Sequence, residues 1–178
     1  MAPFPQKLKK QYPCLKHFIY ESINRENLLH GLKKITGKSI SPSYDIEKAN
    51  IVLSLDSDFL GKSISHLKHT YEFSKRRSVE HVNGLNRLYV AENHFTITGG
   101  KADHRFQIKS SDIEGVAWLI AERLSKGKSN LNQILKSNAK RYKSLVKKEY
   151  IDAIVNDLLK NKERSIVIAG ESQPDYVH

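Results

Sequence analysis

Cysteine is almost absent from this sequence, which contains a single one, Cys14, among 178 residues. The chain therefore forms no internal disulfide, and it supplies neither a four-cysteine zinc site nor an iron–sulfur cluster of its own. Long apolar runs are absent as well, because no stretch approaches the roughly 20 residues that span a bilayer. The first residues lack the apolar core of a secretory signal, and we expect a soluble chain with no direct membrane span.

Acidic residues are in short supply. The chain has 30 lysines and arginines against 19 aspartates and glutamates, which gives a net charge of +11 and a pI near 9.6. This balance makes nucleic acid, anionic lipid and acidic proteins candidate partners, and charge alone does not choose among them. Hydrophobic residues make up 39% of the chain, a share that suits one globular domain over residues 1–178.

Three apolar runs are continuous rather than alternating, which is the pattern of strands covered on both faces. They are residues 51–55, 88–91 and 166–169, with weaker candidates at 18–20 and 106–108. Helical periodicities separate the runs, so consecutive strands are expected to pair in parallel through crossover connections. We therefore predict a three-layer α/β sandwich of Rossmann-like type, with a mostly parallel sheet of four to five strands.

Two helices are indicated in the first half of the chain. One follows Asn24 as its N-cap and stops before Gly37, a residue suited to ending a helix. The second covers residues 63–77, where apolar side chains recur at helical spacing. Its predicted apolar stripe consists of Ile64, Leu67 and Tyr71.

Three more helices are indicated in the second half. A capping box over residues 111–114 begins the first of them. Residues 131–159 stay helical in pattern, but the apolar stripe of their first part lies nearly opposite that of their second part. One straight helix cannot bury both stripes, so we predict two helices with a break near residues 148–150.

Acidic residues open the loops that follow the strongest strands, at the edge where parallel sheets bind ligands. Asp56 and Asp58 follow the first strand, Glu92 and Asn93 follow the second, and Gly170 follows the third. A nucleotide pyrophosphate at such an edge normally meets glycine-rich backbone and cations, and carboxylates would repel it. The carboxylates could instead accept hydrogen bonds from ribose or guanine, or stabilise local structure, which is the commoner role.

The densest polar segment, residues 96–105, combines a glycine pair with titratable side chains. Its key members are Gly99, Gly100, Lys101, Asp103, His104 and Arg105. The glycine pair permits a tight turn with positive φ. The two cations could hold an anion while the aspartate and histidine move a proton. The favoured alternative is a surface turn in which Asp103 and Arg105 satisfy backbone groups and each other.

Two basic features admit a functional and a structural interpretation. His66 and His69 have a spacing that can place two imidazoles on one metal ion, although a solvated helix face is favoured because no further ligand accompanies them. A lysine stripe could meet phosphates, anionic headgroups or an acidic partner, although a solvated face is again favoured. The stripe consists of Lys136, Lys140, Lys143 and Lys147.

Seven segments resemble one known family and occur in the order of that family. They are residues 12–13, 20–27, 43–45, 49–61, 86–92, 98–105 and 169–174. Together they resemble the molybdopterin-oxidoreductase-like part of the large iron–sulfur subunit of alternative complex III, a membrane-bound quinol-oxidising respiratory assembly. The resemblance extends from about Gln11 to His178, and several separate motifs in register make it specific.

The resemblance also implies a relation to molybdenum enzymes, whose related α/β domain binds a molybdopterin guanine dinucleotide. The residues similar to that family's positions are Glu92, Thr98, Ala102, Asp103 and Asp112. Residues 109–111, Lys-Ser-Ser, replace the Pro-Gly-Thr of that family, and this departure argues against dinucleotide binding. Subunits of the alternative complex III type generally lack the molybdenum cofactor in this part, which agrees with the acidic loops.

The resemblance therefore implies a cofactor-free structural domain of a respiratory electron-transfer subunit, in contact with other regions or subunits of a complex at the bacterial cytoplasmic membrane. Two alternatives stay open: half of a molybdopterin guanine dinucleotide site in an active molybdenum oxidoreductase, and a basic nucleic-acid-binding module, which is the least favoured. No catalytic or metal-ligating residue is assigned. The candidate cofactor-binding residues are Asp56, Asp58, Glu92, Asn93, Thr98, Gly99, Asp112 and Gly170.

The chain of that family is longer at both ends, so the resemblance implies that residues 1–178 are a fragment of a larger subunit. Residues 173–178 resemble the start of the helix that follows the last strand. With that helix incomplete, part of the sheet face would be uncovered, and exposed apolar area tends to find a partner. We therefore expect the isolated chain to self-associate through this face or to fray from about Gly170 onward.

Overall fold

The structure is a computed structural model that describes residues 4–18, 20–125 and 131–178. Helices and strands alternate along these ranges, and the predicted α/β class is confirmed. The helices are α1 (Phe4–Gln11), α2 (Glu26–Thr36), α3 (His66–Lys75), α4 (Ile97–Gly100), α5 (Ile113–Ser125), α6 (Asn132–Arg141) and α7 (Lys148–Lys160). The strands are β1 (Ile51–Leu55), β2 (Arg87–Glu92), β3 (His104–Gln107) and β4 (Ser165–Ala169).

The four strands form one all-parallel sheet in the order β3-β2-β1-β4. In the register of the sheet, Leu55 of β1 lies beside Ala91 of β2 and Ala169 of β4, so the carboxyl ends of these strands share one edge. The chain adds β2 and β3 on one side of β1 and β4 on the other. In open α/β sheets such a reversal of strand order is the usual place for ligand binding.

Both faces of the sheet are covered, as continuous apolar runs predict. Leu53 and Leu55 of β1 pack against the core formed with α5, α6 and α7. Val52, which precedes Leu53, faces the opposite side of the sheet and packs there with Phe59 and with Phe73 of α3. Successive residues of β1 therefore enter two separate cores, and each large side chain buried there stabilises the fold by about 1.5–3 kcal/mol.

The two weaker strand predictions have different outcomes. The candidate at 106–108 is present as β3, shifted to residues 104–107, and Phe106 pairs with Ala91 of β2. The candidate at 18–20 is wrong as far as it can be described: Phe18 and Tyr20 are exposed and belong to no strand, and Ile19 lies outside the described residues. The described side chains of this segment pack against no core, so burial does not hold the segment at an edge of the sheet.

The predicted stop of α2 before Gly37 is confirmed, but the N-cap is Arg25 rather than Asn24. The side-chain oxygen of Asn24 accepts a hydrogen bond from the backbone N–H of Glu26 at 3.0 Å. At the other end, Gly37 adopts a left-handed φ of 71° and its N–H donates to the carbonyl of Lys33. A glycine takes this conformation without strain, which is why the helix stops here.

The buried face of α3 is the reverse of the prediction. The predicted stripe of Ile64, Leu67 and Tyr71 is exposed. The buried residues are His69, Glu72 and Phe73, two of which are polar. The Glu72 carboxylate accepts a hydrogen bond from the backbone N–H of Ile46 at 2.9 Å, and this partner is what allows an acid to be buried.

The capping box predicted over residues 111–114 is absent. Glu114 instead accepts hydrogen bonds from the hydroxyl groups of Tyr142 and Tyr176, and its negative charge raises the pKa of Tyr176 to about 12. Two helices do follow residue 131, as predicted. They are separated at residues 142–147, earlier than expected, because the side chain of Tyr142 turns toward Glu114 and the core.

Residues 171–178 lie in turns rather than in the expected start of a helix. Gln173 is buried, Val177 packs against the core on the side of α5, and Asp175 forms an ion pair of 2.7 Å with Lys34 of α2. Val167 on the edge strand β4 is half exposed, so the sheet face is partly uncovered there. Self-association through this face stays a prediction.

Candidate functional site at the carboxyl edge of the sheet

A cleft of about 330 Å³ opens where β1, β2 and β4 end, and we call it the carboxyl-edge cleft. Small-molecule sites in proteins have volumes of about 300–1,000 Å³, so this one is small. Half of the candidate residues line it. The candidates in its lining are Asp56, Asp58, Asn93 and Gly170, whereas Glu92, Thr98, Gly99 and Asp112 lie outside it.

Asp56 ends β1 in the left-handed conformation, with φ at 59°. Aspartate tolerates this region better than most residues, and the turn lets its backbone N–H donate to the carbonyl of Ala91 at 2.7 Å. Its carboxylate oxygen Oδ2 accepts hydrogen bonds from Ser110 at 2.7 Å and from Gln173 at 3.0 Å. Asp56 therefore connects the ends of β1, β2 and the C-terminal turns.

Gly170 closes the gap between β1 and β4. Its N–H donates to the carbonyl of Leu55 at 2.8 Å, which extends the ladder by one residue past the strand. A Cβ at this position would overlap the carbonyl of Asp56, so only glycine permits the contact. The glycine serves close packing of the two strand ends at the point where the strand order reverses.

Asp58 fastens the loop after β1 to α4. One carboxylate oxygen accepts hydrogen bonds from both the backbone N–H of Thr98, at 3.0 Å, and its hydroxyl group, at 2.8 Å. The Thr98 hydroxyl also accepts a hydrogen bond from the N–H of Leu60 at 3.1 Å. Thr98 is fully buried, and it joins two loops that are forty residues apart in sequence.

Glu92 is almost completely buried, at 2% exposure, and its negative charge is compensated inside the protein. Arg105 forms an ion pair with it at 2.5 Å, and the Thr96 hydroxyl donates to it at 2.6 Å. A Cβ at Gly99 would overlap this carboxylate. Glycine is therefore required at 99 for space rather than for backbone conformation, since its φ is not positive.

Asn93 and Asp112 have more exposed positions. Asn93 is exposed and its side chain contacts the ring of His94 through a hydrogen bond. Asp112 ends a short 3₁₀ turn before α5 and accepts a weak hydrogen bond from Ser111 at 3.4 Å. Among the described residues, no hydrogen bond connects either side chain with the carboxylates of Asp56 and Asp58.

The segment 96–105 contributes hydrogen bonds and an ion pair to the fold, which is the favoured alternative, but the partners differ from those predicted. Asp103 pairs with Arg77 and accepts a hydrogen bond from the N–H of Leu88, rather than pairing with Arg105. Burial alone would raise the pKa of Asp103, but these two partners outweigh burial and lower it. The ring of His104 stacks on Tyr89 at 4.9 Å, which gives no support to the less favoured alternative of a proton-transfer pair of Asp103 and His104.

His66 and His69 do not share the solvated face that was favoured for them. His69 is buried at 2% exposure, and its Nδ1 lies 3.1 Å from the Ser63 hydroxyl and 3.4 Å from the Phe59 carbonyl. Burial lowers the pKa of His69, since the protonated ring is poorly solvated there. In the described part of the chain no group of three metal-ligating side chains comes together.

The lysine stripe is divided by the end of α6 at Arg141. Lys136 and Lys140 lie on the helix, whereas Lys143 and Lys147 lie in the turns that follow. All four are exposed, and within the described ranges none has an ion-pair partner. None of the helices in those ranges has the length and apolar character needed to cross a bilayer.

The lining of the carboxyl-edge cleft does not fit the pyrophosphate of a dinucleotide. Three carboxylates border it, those of Asp56, Asp58 and Glu171, against the single lysine Lys62 in the same lining. A pyrophosphate site at a strand end uses glycine-rich backbone and a helix N-terminus. Here Thr98 donates its backbone N–H and its hydroxyl group to Asp58, so these donors already have a partner.

Sequence reasoning selected the carboxylates at this edge but missed the residues that hold them. Ser110, Gln173 and Thr96 each donate a side-chain hydrogen bond to a buried or half-buried carboxylate. Hydroxyl and amide residues are frequent in loops, so no sequence pattern distinguishes these three. The sequence suggests Arg105 as an anion holder or as a partner of Asp103, whereas its partner in the structure is Glu92.

Comparisons with known proteins add no relative, because no family model matches the chain and no curated protein matches it.

Proposed function

We propose that this chain is a structural, cofactor-free domain of a respiratory electron-transfer subunit of the alternative complex III type. The motifs described above support the family, and the hydrogen bonding at the carboxyl edge supports the absence of a cofactor role. Asp56, Asp58 and Glu92 each bond to groups of the chain itself. The edge that binds ligands in related folds is here used to join loops.

A ligand at this edge would have to displace these internal contacts. The least replaceable is the pair of Glu92 and Arg105, because separating a buried charge from its partner costs about 3–5 kcal/mol. The contacts of Thr98 with Asp58 are equally internal, since Thr98 is fully buried. A dinucleotide would gain little from groups that are already hydrogen-bonded, and this favours a packing role.

Apolar side chains beside the cleft support a packing role. Phe95 and Ile97 flank the lining residue Thr96 and are 73% and 62% exposed, and Ile23 in the lining itself is 86% exposed. Large apolar side chains gathered around one edge are typical of surfaces that contact other protein. The proposal assigns this edge to contact with other regions or subunits of the parent complex.

The test is chemical analysis of the full chain purified from its native source with whatever regions and subunits accompany it. Molybdenum and pterin should be below stoichiometric amounts in the part that contains this chain, and the isolated chain should show no visible absorbance. Its thermal unfolding should not change on addition of GDP, because a ligand that binds only the folded state raises stability. Stoichiometric pterin dinucleotide on this chain would overturn the proposal.

One observation favours the second candidate, half of a dinucleotide site. The sheet order reverses beside β1, and the carboxyl-edge cleft lies at that reversal. Amide resonances of Asp56, Thr98 and Gly99 should then shift on titration with GMP or GDP, and Asp58→Asn should alter the shifts. As a control, Asp152→Asn changes the same charge on α7, outside the cleft lining, and should leave the titration unchanged. Saturable shifts at the cleft residues would favour this candidate over the cofactor-free domain.

A further inference from the structure

A second cleft lies at the opposite edge of the sheet, where the strands begin. It has a volume of about 550 Å³, and we call it the amino-edge cleft. Its charged and amide lining comes from the starts of β1, β2 and β4, from the end of α3, and from α7. The lining residues that matter here are Arg76, Arg87, Arg164, Asn86, Asp103 and Asp157.

The two carboxylates of the amino-edge cleft already have strong partners. Asp157 forms an ion pair with Arg87 at 2.6 Å and accepts a hydrogen bond from the Tyr89 hydroxyl at 2.7 Å. Asp103 is held by Arg77, from behind the cleft, and by the N–H of Leu88. In each case burial would raise the pKa, yet the partners lower it, so both groups are ionised and engaged.

Hydrogen-bond donors of the amino-edge cleft remain without acceptors. Asn86 is 3% exposed; its side-chain oxygen accepts from Arg77, but its Nδ2 is buried without an acceptor in the described part of the chain. Arg76 donates from Nη2 to Asn50 at 2.8 Å, while its Nε is buried and also lacks an acceptor among the described residues. A buried donor without an acceptor costs about 1–3 kcal/mol.

Arg164 adds a free positive charge. Within the described ranges its guanidinium forms no ion pair and no side-chain hydrogen bond, although its backbone carbonyl accepts from the N–H of Asn50 at 2.7 Å. With Arg87 occupied by Asp157, the uncompensated charges of the cleft are those of Arg76 and Arg164. Both are arginines, whose planar donor groups match carboxylate and phosphate oxygens.

We propose that the amino-edge cleft binds an oxyanion, a phosphoryl or carboxylate group, between Arg76 and Arg164. The bound oxygens would supply acceptors to a cleft that has a buried amide donor and two arginines without an ion-pair partner among the described residues. The two carboxylates in its lining are already paired. This site is independent of the proposed function, because it lies at the other edge of the sheet and shares no lining residue with the carboxyl-edge cleft.

One neighbouring acid competes for the same arginines. Arg76 and Arg164 also border an adjoining cavity of about 700 Å³ that is lined by four acids. Three of them, Asp45, Glu47 and Glu72, pair with lysines, whereas Glu163 makes no ion pair among the described residues. Glu163 is exposed and precedes Arg164 in the chain, so its side chain remains hydrated. Its charge weakens an anion site without filling it, and Glu163→Gln should therefore tighten binding.

The test is a titration of the ¹⁵N-labelled full chain with inorganic phosphate and, separately, with acetate at constant ionic strength. We expect saturable shifts at the side-chain amide of Asn86, at Nε–H of Arg76 and at the backbone N–H of Arg164, at millimolar concentration. Stronger binding of phosphate than of acetate assigns the site to a phosphoryl group, and the reverse assigns it to a carboxylate. Absence of saturable shifts with both anions overturns the proposal.

Substitutions distinguish a specific anion site from the non-specific attraction of anions to a basic protein. Arg164→Gln should weaken binding about tenfold, the loss expected for one charge-assisted hydrogen bond. The matched control is Arg141→Gln at the end of α6, which removes the same charge from an exposed position outside the cleft and should leave affinity within about twofold. Equal losses in the two variants would overturn the proposal, because they would show that net charge alone attracts the anion. Arg76→Gln provides a second variant if one of the others folds poorly.

Discussion

The two edges of the sheet use the same kinds of side chain in opposite ways. At the carboxyl edge, Arg105 pairs with the buried Glu92 at 2.5 Å, and Asp58 accepts two hydrogen bonds from Thr98. At the amino edge, Arg164 has no side-chain partner in the described ranges, and Asn86 has a buried donor without an acceptor. At the edge that binds ligands in most α/β proteins the carboxylates are bonded to the chain itself, and the other edge retains unused donors.

The difference shows that position in a fold does not by itself decide where a ligand binds. The order of strands places the reversal at the carboxyl edge, but the side chains there bond to each other across the loops. Buried polar groups without partners are rare in folded proteins, so the places where they remain deserve a ligand hypothesis. Among the described residues two such atoms belong to the amino-edge cleft, on Arg76 and Asn86, and three lie elsewhere, on His69, Asn132 and His178.

The largest loss of stability is expected when Arg105, the cation that pairs with Glu92 at the carboxyl edge, is replaced. Arg105→Leu leaves the charge of Glu92, which is 2% exposed, without its partner. We expect the free energy of unfolding to fall by about 3–5 kcal/mol at neutral pH, measured by urea denaturation.

The matched control for that variant is Arg123→Leu on α5. Arg123 pairs with Asp152 at 2.7 Å, but the Asp152 side chain is 41% exposed. An ion pair near the surface contributes about 0–1 kcal/mol. If the two variants lost equal stability, the carboxyl edge would not depend on its buried pair and the comparison of the edges would fail.

The next effect concerns the glycine pair of α4. Gly99→Ala places a Cβ against the Glu92 carboxylate, whereas Gly100→Ala meets only the Phe95 ring, at 3.4 Å. We expect Gly99→Ala to destabilise by about 1–3 kcal/mol through overpacking. Gly100→Ala should be neutral or stabilise by up to about 1 kcal/mol, because alanine favours a helix over glycine. Thermal unfolding of both variants measures the contrast, and equal effects would mean that Glu92 moves aside freely.

The main strands of this fold could be predicted from the sequence because their pattern is local: it lies within a few consecutive residues. Residues 51–55 are apolar at nearly every position, which is typical of a strand buried on both faces. The face of α3 was not readable, since Ile64 and Leu67 are the apolar residues and yet the buried ones include His69 and Glu72. Their burial depends on partners elsewhere, such as the N–H of Ile46, which no local pattern reveals.

The location of the candidate site could be predicted from the sequence, but the hydrogen-bond and ion-pair partners of its residues could not. Parallel strands end at one edge, so Asp56, Asp58 and Glu92 could be placed together from their positions after the strands. Their partners are Gln173, Thr98 and Arg105. The first two pairs are separated by 117 and 40 residues, and contacts of such separation depend on the whole fold.

A smaller loss of stability is expected on acidification, and it should affect the carboxyl edge first. The ring of His69 supports the loop after β1 through Phe59 and Ser63, and burial lowers the pKa of His69 below its ordinary value of 6.5. The unfolded chain therefore binds the proton more readily, so stability falls as the pH falls through 6.5 toward the folded pKa. The half-buried His178 contributes with the same sign, since burial also lowers its pKa.

Hydrogen exchange at about pH 7.5 and about pH 5.5 measures this effect. Amides of residues 59–63 should lose protection on acidification before those of residues 86–88 at the other edge. His69→Gln should remove the part of the pH dependence that belongs to this loop, while His66→Gln, on the same helix but not buried, should not. Equal loss of protection at both edges would contradict the assignment to His69.

The smallest effect should come from Arg164→Gln at the amino edge. Because the guanidinium has no side-chain partner among the described residues, its removal breaks no contact that stabilises the fold, and we expect a change within about 0.5 kcal/mol in chloride buffer. The same substitution type therefore separates the edges: loss of Arg105 is costly and loss of Arg164 is nearly neutral. Phosphate sharpens the contrast, because an anion that binds only the folded state stabilises the original chain in proportion to RT ln(1 + [L]/Kd). The variant should gain less from phosphate than the original chain does. A large destabilisation in chloride would instead mean that Arg164 has a structural partner and that the amino edge is as fully bonded as the carboxyl edge.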